Sequence, residues 1–329
     1  MAEQRTVLGT DAREVLDFEL MSLYQRVARA VQVAWELGVW QALLAEARSA
    51  ERLAADLGFD EEMTRRLLRV LASTGLAWHE PDGTVRLTQA GRDAFDPDSP
   101  VYYGDGLAHA ATVAAGWNAL PELLRGGLGA RRGGGPGDHR TFVMAMQDYS
   151  IRGRAQWLAG NIDLTGRRHL LDLGGGPGTY SFALLEANPE LRATIFDLPQ
   201  TEPLARDNAA RYGLAERVAF RGGDYDQDDL GGGYDCALAS NVLHGAHHGS
   251  GARLKRLAAA LEPGALVIIQ DFVLDDDGNG PLAAAMFGMY VGVFRVEEMF
   301  AIMAEAGLLQ PTLRARGAAG SALFTGIVA

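Results

Sequence analysis

The chain has 329 residues, 48% of them hydrophobic and 22% charged, the balance of a soluble globular protein long enough for two domains. Its 30 basic and 42 acidic residues leave a net charge of −12, which excludes general electrostatic attraction to nucleic acid. A single cysteine, Cys236, rules out an intrachain disulfide framework and fits a cytoplasmic protein, and neither an apolar leader in Met1 to Asp11 nor a run long enough to span a bilayer is present.

From Leu16 to Leu44 apolar residues (Val27, Val31, Ala34, Trp35, Leu43) recur at helical spacing. Ser49 to Gly58 reads as a short helix ended by glycine, and Asp60 to Leu71 as an acid-capped helix with Leu67, Leu68 and Leu71 on its apolar side. Leu76–Glu80, the turn Pro81-Asp82-Gly83 and Thr84–Thr88 predict a β-hairpin. Three helices and a hairpin make a winged helix. Arg65, Arg66 and Arg69 on its acid-capped helix are interleaved with Asp60, Glu61 and Glu62, so a solvated face is expected there rather than a DNA-reading one.

Tyr102 to Leu124 is expected to be helical, Gly126 to Gly137 is a glycine-rich loop, and Thr141 to Asn161 returns to helix. After His169 apolar strands alternate with amphipathic helices, the pattern of a doubly wound parallel sheet. The expected strands are Leu170–Leu173, Ala193–Asp197, Val218–Gly222, Tyr234–Ser240 and Leu266–Phe272. Helices Tyr180–Asn188, Leu204–Tyr212, Arg253–Leu261 and Val296–Ala306 lie between and after them, and Thr312–Arg316 with Leu323–Val328 predicts a closing hairpin.

The strand ending at Asp172 runs through Gly174-Gly175-Gly176-Pro177-Gly178 into a helix. Glycines there let a ligand lie against the main chain, and the helix start supplies N–H donors. Asp197, closing the next strand, can accept both hydroxyls of a ribose. A dinucleotide fingerprint would need a third glycine at Thr179. The acid inside the strand instead suits a ligand with an ammonium and a sulfonium. Asp224, at the end of the third strand, can accept from an adenine amino group while Tyr225 packs on the ring.

The runs Leu-Asp-Leu-Gly-Gly-Gly-Pro-Gly (171–178), Phe-Asp-Leu-Pro (196–199), Gly-Asp-Tyr (223–225), Ser-Asn-Val-Leu-His (240–244) and 261–271 resemble the O-methyltransferases of the caffeic-acid and hydroxyindole type, including bacterial antibiotic-tailoring enzymes. The resemblance extends from about Val27 to the C-terminus. It implies an α/β fold, a Rossmann-like class I methyltransferase domain (161–329) after an N-terminal all-helical, winged-helix dimerisation domain (1–100), with a helical linker (101–160) contributing to the acceptor pocket. It implies S-adenosylmethionine as cofactor, held by Asp172, Gly174, Gly175, Gly176, Asp197, Leu198, Asp224, Tyr225 and Ser240. The product would be S-adenosylhomocysteine.

Methyl transfer to a hydroxyl needs in-line placement and a group to take the proton. The resemblance gives that role to His244, oriented by Asp271 on the next strand. It walls the acceptor, a small aromatic or polyketide-like molecule, with Phe142, Met146, Tyr149, Met286 and Tyr290. Partners are then the acceptor and a second copy of the chain, joined through the N-terminal domain where Trp35 and Trp40 would serve, with no nucleic acid or membrane. Where the family carries His-Asp-Trp the sequence has His244-Gly245-Ala246, and the segment Val293-Phe294-Arg295-Val296 lacks the family's second acid. These departures keep an alternative open: a C-methyltransferase, or a relative that keeps the cofactor but acts as a decarboxylase, hydroxylase or pericyclase. His247 and His248 with Asp271 could bind a metal, but their spacing matches no standard ligand set, so a polar loop without metal is expected.

Overall fold

The computed structural model describes residues 18–127, 138–244, 249–317 and 320–329. Most of the glycine-rich loop, His247 and His248, and the segment Met1 to Asp11 lie outside the described residues. The chain divides into two compact units, Met1–Ala111 and Thr112–Ala329.

The first unit contains α1 (Phe18–Glu36), α2 (Val39–Ala45), α3 (Ala50–Leu57), α4 (Glu61–Ser73), the hairpin β1 (Ala77–His79) and β2 (Val85–Leu87), and α5 (Gln89–Phe95). The apolar spacing from Leu16 to Leu44 therefore belongs to two helices, not one. Gly38 separates them at φ 81°, a left-handed value that only glycine adopts without strain. The caps follow the sequence reading: the Ser49 hydroxyl accepts from the Arg52 N–H, and the Asp60 carboxylate from the Met63 N–H. Arg65 pairs with Glu61 and Glu62, and Arg66 with Glu62, so these charges are matched along α4 itself.

The tryptophans assigned to a dimer face instead build the unit's own core. Trp40 is fully buried, its ring 4.3 Å from Phe95 and its Nε1 donating to the Val31 carbonyl at 3.0 Å. Trp35 packs against Phe95 and Tyr102. Exposed apolar side chains cluster at the other end of α1, where Phe18, Leu20, Met21, Leu23 and Tyr24 point outward.

The division between units falls inside α6 (Gly104–Asn118), which is followed by α7 (Leu120–Gly126), α8 (His139–Ile151) and α9 (Arg154–Gly160). Each expected linker helix is thus a pair. The first breaks at Ala119, where Pro121 opens α7, and the second at Gly153. β3 (His169–Leu173), α10 (Thr179–Ala187), β4 (Arg192–Asp197), α11 (Glu202–Arg211), β5 (Val218–Gly222), β6 (Tyr234–Ser240), α12 (Ser250–Ala259) and β7 (Leu261–Leu274) come next. α13 (Leu282–Val291), β8 (Phe294–Arg295), α14 (Val296–Glu305), β9 (Leu308–Arg316) and β10 (Ser321–Val328) complete the chain.

The sheet order is β5-β4-β3-β6-β7-β10-β9. β5 through β7 are parallel, and β10 pairs antiparallel with β7 and β9. β8, which the sequence reading does not anticipate, pairs with Val273 and Leu274 and occupies the segment where the second acid is missing. β7 also runs well beyond the expected Leu266–Phe272 and takes Leu261 from the predicted helix. Both sheet faces are covered. Leu171, Leu173, Val267 and Ile269 pack on one side, and Leu170, Ile195, Leu238 and Ile268 on the other, which is why the strands read as unbroken apolar runs. The order reverses between β3 and β6, and ligands bind outside the carboxyl ends of strands at such a point.

Candidate active site

Asp172, in β3, is buried beneath the glycine loop. Its Oδ2 accepts from the Ser181 hydroxyl at 2.6 Å, and burial, with the charge of Asp197 adding to it, raises its carboxyl to about 7 against the opposing effect of that hydrogen bond. A Cβ on Gly175 would lie 2.6 Å from the Asp172 carboxyl carbon, and one on Gly174 2.6 Å from Val242 Cγ1. The loop backbone therefore sits directly on these side chains, and no larger residue fits. Gly174 and Gly176 turn toward β4: the Gly174 N–H donates to the Phe196 carbonyl at 2.7 Å and the Gly176 N–H to Asp197 Oδ2 at 2.8 Å.

Asp197 also accepts from the Leu198 N–H at 2.7 Å and from the Thr201 hydroxyl at 3.0 Å, and Leu198 itself stands out from the surface beside it. Because the Thr201 hydrogen goes to a carboxylate, His139 Nε2, 3.0 Å away, must donate to Thr201. A second buried link joins α8 to the loop. Asn208 donates to Gln147 and, at 3.1 Å, to the Pro177 carbonyl. No motif in the sequence marks Thr201, His139, Asn208 or Gln147.

The loop after β5 is more ordered than a run of solvated acids. Asp224 accepts from the Asp226 N–H and the Gln227 side chain, both at 2.8 Å, so its carboxylate is engaged within its own loop. Asp228 accepts from the Asp224 N–H, Asp229 pairs with Arg221, and Asp226 holds Arg253 with two bonds of 2.8 and 2.7 Å. Arg253 also donates to the Val242 carbonyl and lies 4.6 Å from the centre of the Tyr225 ring. This arginine clamps the turns after β5 and β6 together, and the sequence reading passes over it.

After β6 the chain turns sharply through Asn241, a non-glycine residue at φ 54°. The Asn241 N–H donates to the Gln270 carbonyl at 2.7 Å, and the Ser240 hydroxyl to Gln270 Oε1 at 2.8 Å. The His244 N–H donates to Asp271 Oδ2 at 3.0 Å, and the Phe272 N–H to Asp271 Oδ1 at 2.8 Å. The ring nitrogen His244 Nδ1 is 3.5 Å from Asp271 Oδ1, within ion-pair reach but too long and misaligned for a hydrogen bond. The expected base and its orienting acid are thus neighbours, joined chiefly through the backbone.

The expected acceptor residues divide. Phe142 and Met286 are exposed, and Met146 and Tyr149 are half-buried on α8. Tyr290 donates its hydroxyl to the Gly116 carbonyl at 2.9 Å and packs edge-on against Trp117. The ring actually beside the histidine is Phe287, edge-on to His244 at 5.1 Å and packed on Phe272 at 4.3 Å.

Of the four buried side-chain atoms without a partner among the described residues, three lie along this edge: Thr179 Oγ1, Asn241 Oδ1 and His244 Nδ1. With the tight cradle at Gly174 and Gly175, the first two of these atoms fit a polar ligand such as S-adenosylmethionine, since buried polar groups normally find partners, whereas His244 Nδ1 faces Asp271. No group of three or more histidines, cysteines or acids among the described residues could hold a metal. No helix among them is long and apolar enough to cross a membrane.

The chain matches an O-methyltransferase domain over residues 130–307 and an O-methyltransferase dimerisation domain over residues 19–93. It is 29% identical over 271 residues to the 3-hydroxy-5-methyl-1-naphthoate 3-O-methyltransferase of Streptomyces sahachiroi, covering 79% of this chain and 78% of that one. It is 32% identical over 263 residues to the tetracenomycin polyketide synthesis 8-O-methyl transferase of Streptomyces glaucescens, covering 76% of each. Its fold matches human N-acetylserotonin methyltransferase in complex with S-adenosylmethionine at a TM-score of 0.80, with 22% identity over 97% of this chain and 99% of that one. The glycine loop, the three strand-end acids and the two domain matches converge on one assignment: the chain belongs to the O-methyltransferase family, S-adenosylmethionine-dependent enzymes with an N-terminal dimerisation domain.

Proposed function

We propose that this enzyme methylates a hydroxyl of a small aromatic or polyketide-like molecule, with His244 as the general base. The observation that carries this reading is His244 set over the buried Asp271 at the sheet's switch point, with Phe287 against its ring. S-adenosylmethionine supplies an electrophilic methyl group. Asp271 anchors the His244 backbone and faces Nδ1, which leaves Nε2 to take the acceptor's proton. Asp172, Asp197, Leu198, Asp224, Tyr225, Ser240 and the backbone of Gly174 to Gly176 bind the cofactor, Asp197 through the ribose. Phe142, Met146, Tyr149, Met286 and Tyr290 line the acceptor's path, residues 161–329 forming the catalytic domain and 101–160 the linker. Incubation with methyl-labelled cofactor and hydroxylated naphthalenes tests this: label is expected in an O-methyl ether, and label on carbon, or no transfer, overturns it.

Residues 1–100 are proposed to join two copies of the chain. The dimerisation-domain match and the outward apolar end of α1 support this. Light scattering is expected to give twice the single-chain mass, and a monomer at micromolar concentration sinks the idea. The lone cysteine supports a cytoplasmic location, which recovery in the membrane or secreted fraction of producing cells would contradict.

A further inference from the structure

Arg154 opens α9 half-buried, and among the described residues it makes no hydrogen bond or ion pair. Other arginines of the second unit are matched: Arg206 pairs with Glu202, Arg221 with Asp229, Arg253 with Asp226 and Arg316 with Asp275. In a chain of net charge −12 an unmatched arginine is not for want of acids. The Arg154 guanidinium instead lies 5.9 Å from the centre of the Phe272 ring. Phe272 packs on Phe287, and Phe287 meets His244. A panel of two aromatic rings therefore runs from the proposed base to a cation with no counter-ion among the described residues. Contact with a phenylalanine face returns only part of the hydration a half-buried guanidinium gives up. A guanidinium also presents a rigid fork of donors that matches a carboxylate in two parallel bonds.

We propose that Arg154 anchors an anionic group on the acceptor, so that the enzyme selects hydroxyaryl carboxylic acids over neutral phenols. This rests on the methyltransferase reading above. The acceptor's flat ring system lies along Phe272 and Phe287, its carboxylate is held by Arg154, and its hydroxyl is presented to His244. Arg154 is a specificity-determining residue, remote from the reacting atoms.

The test is equilibrium binding of 6-hydroxy-2-naphthoate and of 2-naphthol, the same skeleton without the carboxylate, to protein saturated with S-adenosylhomocysteine, followed by naphthyl fluorescence. The wild type is expected to bind the naphthoate at least about tenfold more tightly. Arg154→Gln removes that preference while leaving naphthol binding unchanged, and Arg154→Lys restores part of it. Equal binding of the two compounds by the wild type, or an undiminished preference in Arg154→Gln, overturns the proposal. Calorimetry with S-adenosylhomocysteine alone separates cofactor binding from acceptor selection. Failure of the wild type to bind it overturns the methyltransferase reading, whereas normal cofactor binding without the naphthoate preference overturns only the Arg154 anchor.

Discussion

Replacing His244 with alanine is expected to slow methyl transfer at saturating cofactor by about 10²–10⁴-fold, the usual contribution of a positioned base. S-adenosylhomocysteine binding is expected to stay as tight as in the wild type, because the His244 side chain packs on Asp271 and Phe287, neither of which is assigned to the cofactor. Single-turnover rates at saturating cofactor provide the sharper readout, because they separate the transfer step from binding and product release. Asp271→Asn should be costly for a different reason. The carboxylate accepts from two backbone N–H groups, those of His244 and Phe272, and an amide offers only one acceptor atom. That variant should lose both rate and thermal stability. A His244→Ala enzyme transferring methyl at the wild-type rate would remove the base assignment.

Cofactor affinity should depend on pH through Asp172. Burial beneath the loop raises this carboxyl to about 7 from an ordinary value of 3.8. In the ligand-free protein the folded state therefore holds a proton that the unfolded chain releases. The contribution of this group to stability is present below pH 4 and is lost as pH rises through 7. A cationic ligand reverses the preference by favouring the carboxylate. Its affinity should then rise by up to about tenfold per pH unit between pH 5 and 7, about 1.4 kcal/mol per unit. It should level off above pH 7 and fall again once the ligand's own amino group deprotonates near pH ~8. Calorimetric titration of S-adenosylmethionine at several pH values gives the slope directly. Asp172→Asn should bind more weakly at pH 7.5 and lose the slope below 7, and an unchanged slope would exclude Asp172 as its source.

Much of this was legible in the sequence where local chemistry and burial agree. β5 and β6 have the expected bounds, and the caps at Ser49 and Asp60 are visible because a polar side chain immediately precedes an amphipathic run. Helix breaks were hidden where apolar spacing continues across them, as at Gly38 and Ala119. β7 exceeds its expected bounds because Glu262-Pro263-Gly264 reads as a turn, although it is the start of a strand. In the site, Asp172, Asp197 and Asp224 announce themselves by lying at, or just past, the carboxyl end of a strand. Ser181, Thr201, Arg253 and Arg154 do not, since they sit on helices or turns without a motif and find their targets only after folding. Arg253 and Asp226, for instance, are 27 residues apart. The same holds for Phe287, whose place beside His244 depends on how α13 folds back onto β7.

The turn that carries His244 takes its shape from elements other than its own strand, namely β7 and α12. Asn241 rests on the Gln270 carbonyl, Ser240 on the Gln270 side chain and His244 on Asp271, while the Ser250 hydroxyl holds the Leu243 carbonyl from α12. The segment 240–244 is therefore not a transplantable part. Exchanging it for the corresponding stretch of another family member, to import a different reactivity, would leave the donor's backbone without the acceptors it was shaped around. A chimaera that also moves positions 270 and 271 keeps the turn and its supports together. For enzymes built this way, the unit of exchange is a pair of adjacent strand ends rather than a continuous piece of sequence.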